Sequence, residues 1–213
     1  MKKNVRLMLM GLEIGTTVLW GGGTYAYADY DPATNTDTLT NQMVSKTRGD
    51  TTKGDFKSYN YPDRNLVINW KDNSRGDGAA IRDADVTAKN ITINTDFQGN
   101  QWTDKGVISD VSTHIKASGD INIKSHDDSV FTEGTGTTTI EGFKNLIIKS
   151  TENGYGLVDN GGGITVNGGQ GSTVDITSSG RPGIGNSELS FWDGGEGKGI
   201  TINADAIKIS SEA

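Results

Sequence analysis

From residue 66 onward the chain repeats itself about every 25 to 30 residues, and each copy opens on an alternating apolar run: LVIN, ITIN, INIK, LIIK, and ITIN again at 200–203. A repeat of short strands without helical periodicity cannot bury its apolar face alone. It must stack on its neighbours, which makes an elongated solenoid rather than a compact domain. Three short strands are legible per copy. The first is the Ile-x-Ile run (Leu66–Ile68, Ile91–Ile93, Ile121–Ile123, Leu146–Ile148, Ile200–Ile202), whose strict alternation marks one buried face. The second follows a Gly-rich or polar turn: AIRD, VISD, VFTE, LVDN and GIGN. The third reads DVTA, HIKA, TTIEGF, GITV and ELSF. Gly, Asn, Asp and Ser fill the joints, as tight turns require. The expected fold is all-β, a parallel β-helix of about five coils over 66–213, with the turn carrying DFQGNQWTD varying in length and exposing Trp102.

The first 28 residues read as a secretory signal. Lys2, Lys3 and Arg6 precede an apolar stretch, LMLMGLEIGTTVLW, and Ala26-Tyr27-Ala28 places small residues before a cleavage point at Asp29. That stretch is shorter than the ~20 residues a spanning helix needs. Three of the 20 basic and one of the 27 acidic residues lie in 1–28, so cleavage leaves a net charge of −9. Such a surface argues against nucleic acid and against docking on anionic lipid. The chain has no cysteine, which excludes disulfides, thiolate metal sites and Cys nucleophiles. Residues 29–65 show no repeat and read as a polar linker and N-terminal cap, with a short helix in DTLTNQMVSK and a strand in DFKSYNYP.

One polar column ends the second strand: Asp83, Asp110, Glu133, Asn160 and Asn186, each two residues after a large apolar residue. Spacing of two puts them on that residue's face, inward or at a corner. The plain reading is a turn ladder in which Asn and Asp bond the backbone of the next turn. Stacked acids repel unless protonated, splayed or bridged by a cation, and Ca²⁺ is the natural candidate, although no calcium-loop motif is present. The same acids carry the rival reading, a polysaccharide-active enzyme using Asp83, Asp110 or Glu133. His114 and His126 have no triad partners and read as turn residues. No other cofactor or metal motif is present, and no catalytic residue is assigned.

Arg-Gly-Asp occurs at 48–50 and at Arg75-Gly76-Asp77, and resembles the recognition tripeptide of integrin ligands, so the second copy is a candidate ligand-binding turn. More broadly, a signal ending in AYA, a polar cap region and coils such as GDINIKS, NLIIKST and GKGITINA resemble the passenger of a bacterial autotransporter. The resemblance spans nearly the whole chain and is architectural. It implies a right-handed β-helix at the cell surface or outer membrane, often an adhesin, noncatalytic, with a host-surface or glycan ligand. It also implies an outer-membrane translocation barrel as partner, in cis or in trans. The sequence ends at Ser-Ser-Glu-Ala without the alternating strands of such a barrel, and reads as the front part of a longer protein or a truncated reading frame.

Overall fold

The computed structural model describes residues 28–46, 56–70, 78–95, 104–152, 154–185 and 197–212, and all regular structure there is β. The strands form a parallel β-solenoid of about five coils. The first face stacks β2 (Thr36–Thr40), the second half of β4 (Tyr59–Trp70), the second half of β6 (Asp85–Thr95), β9 (Ile121–Ser125), β12 (Asn145–Ser150), β15 (Thr173–Ser179) and β18 (Ala206–Glu212). The second face stacks β3 (Val44–Ser45), β5 (Gly78–Arg82), β7 (Asp104–Ser109), β10 (Val130–Glu133), β13 (Leu157–Asn160) and β16 (Ile184–Gly185). The third face begins with the first halves of β4 and β6 and continues through β8 (Ser112–Ala117), β11 (Thr137–Glu141), β14 (Gly163–Asn167) and β17 (Ile200–Asn203).

Parallel stacking places identical positions of successive coils about 4.8 Å apart, so like side chains line up in columns. On the first face one column runs Leu66, Ile91, Ile121, Leu146, Val174, Ile207 and a second runs Leu39, Ile68, Ile93, Ile123, Ile148, Ile176, Ile209. Val44, Ile81, Val107, Val130, Leu157 and Ile184 face them from the second face. Val86, Ile115, Ile140, Val166 and Ile202 close the interior from the third. β-Branched residues dominate because their stiff side chains suit a pleated, stacked surface.

Three sequence expectations change. The solenoid begins inside the segment read as linker and cap. TDTLT, expected to start a helix, is strand β2, its β-branched threonines alternating around the buried Leu39. The second ITIN, read as opening a new copy, is β17 on the third face, paired with β14, and the first-face strand of that coil is β15. The third-strand candidate ELSF lies outside the described residues, as do residues 1–27, and so does Trp102.

The N-terminal end is closed by a hairpin, the antiparallel pair of β1 (Asp29–Asp31) and β2. There Asp37 occupies the first-face column beneath Leu66 and is buried. Its carboxylate accepts the Tyr59 hydroxyl at 2.6 Å and Arg64 Nη1 at 3.2 Å, and the Arg64 guanidinium lies over the rings of Tyr30 (4.3 Å) and Tyr61 (4.8 Å). Burial, then the bond to Asp37, raises the Tyr59 pKa and keeps the phenol protonated. A charged, hydrogen-bonded plug thus replaces the next apolar layer.

Candidate functional site

At the corner from the second face to the third, the register separates two polar columns. Ile108, Phe131 and Val158 align, which places Asp110, Glu133 and Asn160 in one column, on the side away from the main core. Asp83 does not join them. Arg82 pairs with Ile108, so Asp83 falls beside Ser109, one residue out of the expected alignment. Ile184 likewise pairs with Leu157 rather than Val158, and Asn186 lies outside the described residues, as does Arg75-Gly76-Asp77.

The column that turns inward is therefore Asp83, Ser109, Thr132 and Asp159, all buried. Asp83 adopts a left-handed backbone (φ 48°), and its Oδ1 accepts the backbone N–H groups of Asp110 and Val111, both at 2.8 Å. This is the side-chain-to-next-turn bond expected of a corner residue. The hydroxyls of Ser109 and Thr138 bond at 2.6 Å. Asp159 collects four donors: the Thr132 hydroxyl (2.5 Å), the N–H groups of Gly161 and Gly163 (3.1 Å each) and that of Gly199 in the next coil (2.6 Å). Burial pushes its carboxyl upward, but Thr132 and the three amides outweigh it and leave the pKa below the usual carboxylate value.

Asp110 is held by Arg82, whose Nε and Nη2 reach Oδ2 at 2.8 and 2.5 Å. The repulsion expected of stacked acids is relieved by a guanidinium and by backbone amides. Among the described residues no group of three or more His, Asp and Glu side chains is placed to hold a metal ion. His114 sits on strand β8 rather than in a turn, and lies 3.3 Å from Glu141, which Lys116 also reaches at 3.0 Å. His126, in the turn after β9, lies 3.4 Å from Glu152.

Two further constellations lie at the corner from the first face to the second. Asp127 and Asp128 are adjacent in the turn after β9. Burial pushes the Asp128 carboxyl up to about 6, Asp127 adds to this, and Lys105, the Tyr155 amide and Arg181 oppose it. The Tyr155 N–H donates to Asp128 Oδ1 at 2.8 Å, Lys105 Nζ lies 3.5 Å from Asp127, and Arg181 bonds the Tyr155 hydroxyl at 3.3 Å. A Cβ on Gly185 would lie 2.3 Å from the Tyr155 ring, so glycine is required for that ring to pack there. No family model, curated protein or solved structure matches this chain.

The second constellation is an open groove of about 430 Å³ along the same corner, crossing several coils. Asn41, Asn69, Asn94, Lys124 and His126 line it, with Trp70 as its aromatic wall. Asn69 and Asn94 are register partners, and the Asn94 amide donates to the Asn69 carbonyl oxygen at 3.0 Å. Sequence reasoning used the Ile-x-Ile runs for the core and passed over the Asn or Lys that follows each one. That residue was the available signal, since one position after an inward Ile must face outward.

Proposed function

We propose that this protein is an exported, noncatalytic β-solenoid that acts as an adhesin-like passenger, presenting its turns and corner groove at the cell surface. The observation that carries the reading is the use of the corner carboxylates. Asp83 is committed to two backbone amides and Asp110 to Arg82, so two of the three acids on which an enzyme reading rests do architectural work. A stack of uniform coils also suits display, because each added coil lengthens the surface without a new core. The basic and apolar leader read in residues 1–28 supports export, and an outer-membrane barrel, in cis or in trans, is the proposed route to the surface. The ligand is a host-surface molecule or a glycan.

Fractionation of the native cells with an antibody to residues 104–152, combined with protease treatment of intact cells, tests this. Surface display predicts a protease-accessible band in the outer-membrane or extracellular fraction. A protected band in the cytoplasm would overturn it.

A further inference from the structure

Resting on that reading and extending it to a ligand, we infer that the groove at the first corner binds an extended, sparsely acidic glycan laid parallel to the solenoid axis. Four features point to it. The groove crosses successive coils, so its polar groups recur at the stacking distance of about 4.8 Å, close to the advance of one pyranose in an extended chain. Its amides are half-used. Asn69 and Asn94 spend one carbonyl and one amino group on each other, and the Asn69 amino and Asn94 carbonyl groups have no protein partner among the described residues. An Asn side chain with a free donor or acceptor matches the vicinal hydroxyls of a sugar. Trp70 belongs to the core (8% exposed) and reaches the groove lining with only that remainder, which gives a ligand a small apolar contact.

The fourth feature is Lys124. It is exposed and, like Lys57, Lys89, Lys144 and Lys198, forms no ion pair among the described residues, but unlike them it lines the groove. An unpaired ammonium beside amides and an indole selects a sugar carboxylate. The formal charge of −7 on the whole chain disfavours dense polyanions at long range. The fitting ligand is thus a glycan in which uronic acids alternate with neutral residues. The groove volume lies in the range of small-ligand sites, about 300–1,000 Å³, enough for a short segment of such a chain.

The test is calorimetric titration of the full chain with an oligosaccharide of alternating uronic acid and neutral hexose, and with its carboxyl-reduced counterpart. Lys124→Gln and Asn94→Ala are the site variants. Lys149→Gln is the control, since it occupies the same column one coil on and does not line the groove. Circular dichroism establishes that each variant keeps its β signature. The expected result is binding of the acidic oligosaccharide, weakened at least about ten-fold by Lys124→Gln and by carboxyl reduction, and unchanged by Lys149→Gln. Asn94→Ala weakens both oligosaccharides. Absence of binding at millimolar ligand, or binding that Lys124→Gln and Asn94→Ala leave intact, overturns the inference. Equal affinity for the reduced oligosaccharide overturns its acidic part. Surface display is measured separately by fractionation, so failure of the glycan site leaves that result standing.

Discussion

Single carboxylates at the corners have pKa values shifted in opposite directions in this solenoid. Asp159 is a depressed carboxylate with four donors, one of them from the following coil. Asp159→Ala strands three amides and a hydroxyl, and is expected to lower unfolding free energy by about 2–4 kcal/mol, read as a shift in the denaturant midpoint at unchanged slope. Because its folded pKa is lowered, that contribution is present at neutral pH and is lost as pH falls below the unfolded value of about 3.9. Asp128 behaves inversely. Its folded pKa of about 6 lies above the unfolded value, so the native state binds the proton more tightly. The cost of ionising it is full above pH 6 and disappears as pH falls toward 4. Asp128→Asn keeps an acceptor for the Tyr155 amide and should stabilise the protein by on the order of 2 kcal/mol at pH 8, with little effect at pH 4. Thermal melts at the two pH values decide it; equal effects at both would refute the assignment. The turn ladder was legible from Asp and Asn at strand ends. Its membership was not, because the alignment of Ile81 with Ile108 is off by one, and a one-residue slip reverses which face a side chain takes.

Strands are ordered here by column rather than by their own propensity. The apolar columns were visible as recurring Ile-x-Ile and Val-containing runs, since a stacked core needs the same shape in every coil. Less legible were TDTLT and the second ITIN. TDTLT has one large apolar residue and becomes a strand only because Leu39 continues the Ile68 column. ITIN has the sequence of a first-face strand and sits on the third face, where Ile200 and Ile202 continue the Ile164 and Val166 columns equally well. Position in a column also sets the energetic weight of a side chain. Ile123 and Ile209 belong to one column, yet Ile123 is 1% exposed and Ile209 is 45% exposed. Ile123→Ala should cost about 2–5 kcal/mol through lost transfer energy and a residual cavity. Ile209→Ala should cost roughly 1 kcal/mol, because only about half of the residue is withdrawn from water and no enclosed cavity is left. Similar losses in urea titrations of the two variants would contradict the column assignment.

The two ends of the described stack differ. One end carries the β1–β2 hairpin and the Asp37–Tyr59–Arg64 plug, and the last described strand leaves Ile207 and Ile209 exposed. Between them the corners are tied by amides, hydroxyls and the guanidinium groups of Arg82 and Arg181, so chelator is expected to leave the melting temperature unchanged, and a drop of several degrees would reveal a structural cation. The groove and the acid turn lie at one corner and the Asp83–Asp159 column at another, so the proposed ligand site and the backbone-tying carboxylates occupy separate edges of the solenoid. The most direct test of the noncatalytic account is glycan turnover by the purified chain, with release of reducing ends and of unsaturated uronates followed across a panel of acidic and neutral polysaccharides. The account predicts no turnover by the native protein or by Asp110→Asn. Turnover by the native chain that Asp110→Asn abolishes while its β signature is retained would contradict it and make the solenoid an enzyme.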